Sequence, residues 1–171
     1  SPPVASVSPT QDRILLVSWQ DYPSLARVAA PFLKLAGARV EPKNHSKHDT
    51  PGGYGIKPCA RGFELVTVAD GARTPVAFPP GGCPEAPQWS ADGSRFAFAN
   101  VTADSVELWV GDALTGRVVK VPGARLNPML NGELQWMPDQ KQLLVKLVPE
   151  RLGPPPAKPL VPIGPSIQET G

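Results

Sequence analysis

The sequence has few cysteine, histidine and aromatic residues, which are the types that many metal and ligand sites require. Its 171 residues include two cysteines and two histidines, and aromatic residues make up 6% of the chain. There is no CxxC pair and no Cys/His cluster, so a zinc site is not expected. No apolar run approaches the ~18 residues of a membrane-spanning helix. The formal net charge is only +2, and the basic residues are scattered. Neither nucleic acid nor a membrane is therefore expected as a partner.

Motifs that would carry chemistry are also missing. The chain has no G-x-S-x-G turn for a serine nucleophile, no Walker loop, no G-x-G-x-x-G and no H-E-x-x-H. Both histidines lie in one loop, "NHSKHD", with no credible nucleophile near it. The sequence thus predicts no cofactor, no metal and no catalytic triad within this segment.

Proline, in contrast, is abundant, with 23 residues against a usual share of about 5%. Because proline disrupts helix interiors and central strands, the helical share should be small. The hydrophobic content of 41% suffices for one core. We therefore expect an all-β, turn-rich protein.

A pattern of strand, tight turn and strand recurs along the chain. It reads "VSPTQDRILLV" from Val7, "QWSADGSRFAFAN" from Gln88 and "WMPDQKQLLVK" from Trp136. Trp89 lies 82 residues after Val7 and 47 before Trp136. A second pair, around Glu64 and Glu107, is spaced by 43 residues. A unit of roughly 40 to 47 residues with four short strands is typical of a β-propeller blade.

The repeat predicts a partial β-propeller of about two and a half blades of four-stranded antiparallel sheets. Blade one is residues 1–82 with an insertion at 20–60, blade two is 83–124, blade three starts at 125–148, and 149–171 is a proline-rich connection. A small self-contained sandwich of the same strands is the alternative. Because incomplete rings expose strand edges, we expect residues 1–171 alone to be aggregated or molten and to need more polypeptide to fold.

The insertion has its own local signals. Asp21 or Ser24 should cap a short helix over "SLARVAA", which Pro31 would end. The next stretch, "FLKLAGARVEPKN", alternates like a strand with one wet face, interrupted at Ala36-Gly37. Its basic residues Arg39 and Lys43 are candidates to face a substrate carboxylate or a domain interface. The alternative is a surface strap whose basic residues are merely solvated.

The remaining candidate residues have plain structural interpretations. Cys59 and Cys83 could form a disulfide or be buried thiols. His45, His48 and Asp49 are interpreted as a solvated turn rather than a metal site. The tryptophans are interpreted as core residues, with a sugar platform as the alternative, and the glycosylation sequons at Asn44 and Asn100 are weak signals.

Three stretches resemble a known family: "YPSLARVAAPFLKLAGARVEP" (22–42), "RLNPMLNGELQWMPD" (125–139) and "LVPERLGPPPAKPLVPIGPSIQE" (147–169). They look like the N-terminal propeller of prolyl oligopeptidase-family serine peptidases, closest to the glutamyl endopeptidase type of bacteria and chloroplasts. In the loop "KNHSKHDTPGGYGI" only Tyr54, Gly55 and Ile56 match the family pattern.

The resemblance implies a fold, a partner and a function. In such enzymes the propeller covers an α/β-hydrolase domain that carries the serine, aspartate and histidine, none of which lies in this segment. This chain would then gate access of peptide substrates and contribute to specificity, possibly for cleavage after Glu. The alternative function is a non-enzymatic propeller that binds a protein partner. A periplasmic or secreted bacterial location is favoured slightly over the cytoplasm or a plastid.

Overall fold

The computed structural model describes residues 1–35, 37–50, 55–130 and 134–153. Within these ranges the chain is nearly all β, as several small antiparallel sheets, which confirms the fold class expected from composition. One helical turn, α1 (Leu25–Val28), and one 3-10 turn, Pro128–Leu130, occur in these ranges. Most of the proline-rich connection predicted for 149–171 lies outside them.

The strands are short and follow one another closely. They are β1 (Val4–Val7), β2 (Arg13–Trp19), β3 (Leu33–Leu35), β4 (Ala38–Val40), β5 (Ala60–Thr67), β6 (Arg73–Pro75), β7 (Cys83–Pro84), β8 (Gln88–Trp89), β9 (Arg95–Val101), β10 (Val106–Asp112), β11 (Val118–Arg125), β12 (Gln135–Trp136) and β13 (Leu143–Leu144). The second repeat was expected to hold strands at 94–101, 105–110 and 117–121; β9, β10 and β11 begin one residue later than each of these, and β10 and β11 extend two and four residues further.

The strands form successive antiparallel sheets. The first sheet has the order β1-β2-β5-β6, and the second has β11-β10-β9-β7 with β8 also paired to β9. The third hairpin is β12-β13. The segment between β2 and β5, residues 20–59, is called the insertion below, and it holds α1 and the β3-β4 hairpin.

The second sheet packs between its two neighbours because side chains alternate along β9. Phe96 and Phe98 join Leu15, Phe63 and Leu65 of the first sheet in one apolar core. Phe63 and Phe98 meet edge to face, with ring centroids 5.0 Å apart, a favourable aromatic geometry. The intervening Ala97 belongs to a second core that reaches the third hairpin. One strand thus serves two interfaces.

The three repeated hairpins share one register. Val7 pairs with Ile14, Trp89 with Phe96 and Trp136 with Leu143. One backbone hydrogen bond of 2.9 Å closes each turn. The donor N–H and acceptor carbonyl belong to Ser8 and Arg13, to Ser90 and Arg95, and to Met137 and Gln142. Each turn holds one residue of positive φ at the same place: Gln11 (60°), Gly93 (67°) and Gln140 (56°). The motif that recurs in the sequence therefore forms the same local structure at all three places in this chain.

Neighbouring hairpins also contact each other in a repeated way. The Trp89 indole N–H donates to the carbonyl of Ser6 at 3.3 Å, and that of Trp136 donates to the carbonyl of Gln88 at 3.2 Å. Ser6 and Gln88 occupy the same position in their hairpins. The third hairpin therefore sits on the second as the second sits on the first. This arrangement supports a propeller, and the division into blades at residues 82 and 124 stays a proposal.

The turns permit a test of the repeat by a matched pair of substitutions. Gln11→Gly should raise stability by up to about 1 kcal/mol, because glycine adopts positive φ without a steric cost. Gln140→Gly should instead lower stability by about 1 kcal/mol, since the Gln140 side chain accepts from the Ala91 N–H at 2.6 Å and donates to the Met137 carbonyl at 3.0 Å. Thermal unfolding of the full-length protein measures both. If both variants shift the unfolding temperature equally and in the same direction, the Gln140 side chain does not stabilise the contact between the second and third turns.

Candidate functional site: the insertion and the cavity beside it

The insertion begins with the short helix that the sequence predicted. Ser24 is its N-cap, and the Ser24 Oγ accepts a hydrogen bond from the Arg27 N–H at 3.3 Å. The cap is thus Ser24 and not Asp21, the other candidate. The helix ends at Val28, before Pro31, as expected from proline's inability to continue a helix.

The single interrupted strand expected from "FLKLAGARVEPKN" is wrong. The chain reverses there, so that β3 pairs with β4 in a hairpin with Leu33 opposite Val40 and Leu35 opposite Ala38. Gly37 has a φ of 83°, a conformation that glycine adopts without steric cost and that two-residue hairpin loops require. The chain therefore reverses between Leu35 and Ala38, and Gly37 belongs to the turn.

The loop "NHSKHD" is a buried polar cluster, and its interpretation as a solvated turn is wrong. Glu41, Asn44, Ser46 and His48 are each at most 8% exposed. The Glu41 carboxylate contacts His48 Nδ1 at 3.1 Å and accepts from Asn44 Nδ2 at 2.8 Å. The Ser46 N–H donates to Asn44 Oδ1 at 2.9 Å. Within the described ranges, no three His, Cys, Asp or Glu residues are placed to hold a metal.

The polar cluster joins the insertion to the second sheet. Asn44 Nδ2 donates to the Thr102 carbonyl, just after β9, at 2.9 Å. Asn44 and Asn100 are 2% and 0% exposed, so neither sequon asparagine is accessible for glycosylation in the folded chain. The insertion thus packs on the neighbouring sheet rather than extending away from it.

Arg39 and Lys43, the two candidate substrate-binding residues, have different surroundings. Arg39 Nη1 lies 3.2 Å from Asp49 Oδ2, and the guanidinium lies over the Phe32 ring at 5.4 Å. The same ring stacks on His48, with centroids 4.7 Å apart. Lys43 is exposed. Both residues are exposed, with 44% of the Arg39 side chain accessible, but Arg39 is in addition held by contacts within the insertion.

A disulfide fastens the end of the insertion. Cys59, directly before β5, is bonded to Cys83 of β7, with the Cα atoms 4.7 Å apart and both residues buried. Of the two alternatives left open by the sequence, the structure thus has the bridge. Lys57 lies two residues before Cys59, and Glu85 lies two residues after Cys83. The Lys57 Nζ is 3.4 Å from the Glu85 Oε1. The bridge therefore holds the insertion and the second sheet together beside this ion pair.

A cavity of about 690 Å³ lies between the insertion, the second sheet and the third hairpin. Its apolar wall includes Ala99, Val101, Val106, Leu126 and Val145. Its charged residues, in the part of the chain that the structure describes, are Arg27, Lys47, Lys57 and Lys146 with Asp49 and Glu85. Cations therefore outnumber carboxylates. Neither Arg39 nor Lys43 lines the cavity.

Arg27 and Ser46 both line the cavity and each has a buried polar atom, Nε and Oγ, that lacks a partner among the described residues; Arg27 is the charged one. Its Nε is buried, and none of the described residues accepts a hydrogen bond from it. A buried donor without an acceptor costs free energy. Sequence reasoning missed Arg27, Lys57 and Glu85, because they lie on three separate segments and form no motif.

A second charged cluster lies on β10. Burial raises the pKa of the Glu107 carboxyl, but hydrogen bonds donated by Lys120, Trp109 and Asn100 outweigh that effect and hold the pKa below its ordinary value. The Lys120 bond measures 2.6 Å and the Trp109 bond 2.9 Å. Glu107 is thus kept charged by satisfied partners, which is a structural role.

The tryptophans are packing residues, as the sequence predicted. Trp19, Trp89 and Trp109 pack against the core between the first and second sheets, and Trp136 packs against the core that reaches the third hairpin. In the described ranges no helix is long and apolar enough to cross a membrane.

Comparison with known proteins gives two curated relatives with the same printed name. A "Probable glutamyl endopeptidase, chloroplastic" from Oryza sativa subsp. japonica is 31% identical over 97% of this chain. Its namesake from Arabidopsis thaliana is 32% identical over 95% of this chain. The chain spans only 18% and 17% of these two relatives. No family model matches the chain. The similarity indicates a distant relationship to a family of peptidases.

The hydrogen bonds of Asn44 predict how firmly the insertion is held. Asn44→Ala should leave the Thr102 carbonyl and part of Glu41 without partners, at a cost of about 2 kcal/mol. Hydrogen exchange of residues 38–50 in the full-length protein should become faster, while the exposed Lys43→Ala, used as a control, should leave it unchanged. Equal exchange in both variants would contradict an anchoring role for Asn44.

Proposed function

We propose that this chain is part of the β-propeller domain of a serine peptidase of the prolyl oligopeptidase family that hydrolyses peptide bonds in oligopeptides. The observation that carries the proposal is the match of nearly the whole chain to two proteins named glutamyl endopeptidase. The repeated hairpins support it, since they stack with one register and one tryptophan contact. The catalytic serine, aspartate and histidine would come from an α/β-hydrolase domain elsewhere in the full-length protein.

The role of this portion in the proposed enzyme is to filter substrates. A ring of blades over the nucleophile admits flexible peptides and excludes folded proteins, because only a narrow opening leads to the reacting groups. The insertion adds residues beside that opening. Its anchoring by Asn44 and by the disulfide favours a fixed wall over a mobile lid.

Hydrolysis by the full-length protein tests this function. We expect a short peptide to be cleaved, the same sequence inside a folded protein to stay intact, and a fluorophosphonate that acylates activated serines to abolish cleavage. Cleavage of both substrates at equal rates would contradict the filter. Absence of both cleavage and labelling would contradict the peptidase and favour a propeller that binds a protein partner.

The charges of the insertion give a separate test of specificity. If Lys43 or Arg39 pairs with a substrate glutamate, its change to Met should reduce the preference of kcat/KM for Glu over Gln before the cut by more than about tenfold, roughly 1.4 kcal/mol. Arg39→Met also removes the partner of Asp49, so an effect through packing would lower both rates alike.

The matched control is Lys34→Met. Lys34 is exposed and lies opposite Arg39 in the β3-β4 hairpin, so this change removes a nearby charge without touching the Asp49 ion pair. If all three variants keep the preference for Glu, the insertion is a surface strap with no role in recognising the carboxylate.

A further inference from the structure

We propose that the cavity between the insertion, the second sheet and the third hairpin binds the C-terminal end of a peptide, with its carboxylate at Arg27 and its last apolar side chain against the cavity wall. That the ligand is a peptide rests on the proposed function. The carboxylate and the apolar group are argued from the cavity alone.

The first step is the charge of the lining. Four cationic residues and two carboxylates face the cavity. Both carboxylates have cationic partners already, since Asp49 lies 3.2 Å from Arg39 and Glu85 lies 3.4 Å from Lys57. Arg39 lies outside the lining, and its positive charge offsets that of Asp49. With both carboxylates offset, the charge of Arg27, for which the described residues supply no ion-pair partner, favours an anion over a neutral or cationic ligand.

The second step is the Arg27 side chain. Its buried Nε has no acceptor among the described residues, although the residue lies on a helix with no buried side chain of its own. A carboxylate accepts from the guanidinium with two oxygens, which suits the planar fork of arginine. The Nε itself is out of reach of a water molecule, so a carboxylate bound in the cavity would accept from the terminal Nη groups of the guanidinium.

The third step is the shape of the remaining wall. The wall beside the cations is made of small and branched apolar side chains, among them Ala99, Val101, Val106 and Leu126. The ligand group that fits this lining is a carboxylate next to an apolar group. A peptide C-terminus provides both on one residue, whereas a glutamate side chain would bring its polar backbone against the apolar wall. The volume of about 690 Å³ lies in the range of small-ligand sites.

Calorimetric titration of the full-length protein at low salt tests the site with three probes. They are N-acetyl-leucyl-leucine, its C-terminal amide, and N-acetyl-leucyl-glutamic acid with an amidated C-terminus. Mass spectrometry checks that each probe stays intact. We expect the free acid to bind about tenfold more tightly than its amide, and added salt to weaken only the acid.

The third probe separates the two sources of a carboxylate. The glutamyl amide should bind like the leucyl amide. If it binds as tightly as the free acid, a side-chain carboxylate occupies the site and the assignment to a C-terminus is overturned. Equal affinity of all three probes overturns the site altogether.

Three variants connect the binding to the named residues. Arg27→Gln should remove the preference for acid over amide, and Arg117→Gln, an exposed arginine outside the lining, should keep it. Glu85→Gln should tighten binding of the acid several-fold, because it removes a negative charge from the lining and frees Lys57. A misfolded variant would not bind more tightly. Equal effects of the two arginine changes, or weaker binding by Glu85→Gln, would overturn the proposal.

The titration does not depend on hydrolysis. Acid-selective binding that follows Arg27 and Glu85 in a protein that cleaves no peptide would keep the cavity assignment and remove the peptidase function. Peptide cleavage without any preference for acid over amide would keep the peptidase and remove the cavity assignment.

Discussion

The alternation of large and small side chains along β9 determines how the other elements are arranged. Phe96 and Phe98 point to the first sheet and fill that interface with aromatic rings. Ala97 and Ala99 point the other way, toward the third hairpin. Small side chains leave space that large ones would occupy, and Ala99 lines the cavity. One face of β9 thus belongs to the closely packed core with the first sheet, and the other face borders the cavity.

The insertion is held in place mainly by specific polar contacts. Its helix buries no side chain, and of its two hairpin strands only Val40 is fully buried. The Glu41, Asn44 and His48 contacts and the disulfide at Cys59 therefore carry more weight than apolar packing. Buried polar groups are costly unless satisfied, so these contacts require one position of the insertion. That position brings Arg27 and Asp49 to the cavity.

Local features of the structure were predictable, because they depend on residues close in sequence. The three hairpins and the Ser24 cap follow from turn chemistry and alternation. The β3-β4 hairpin was mistaken for one strand, although its pairing places Leu33 and Leu35 on the same face as Ala38 and Val40. In a continuous strand residues an odd number apart lie on opposite faces, so the shift of the apolar positions from odd to even was the local signal that was overlooked. Burial of the histidine loop depends on Thr102, which is 58 residues from Asn44, and no local pattern reports such a contact.

The difference between residues visible in a local pattern and residues brought together by the fold also applies to the recognition of a negatively charged ligand. Lys43 is exposed, and an exposed charge interacts weakly with a ligand because water and salt screen it. The cations of the cavity lie against an apolar wall, where the same Coulombic attraction is larger. Among these cations Arg27 has an Nε that is out of contact with water, so its charge is less screened than that of Lys43. In the proposed site, discrimination between a charged and a neutral ligand therefore depends on Arg27 at the apolar wall rather than on Lys43, which the sequence had pointed to.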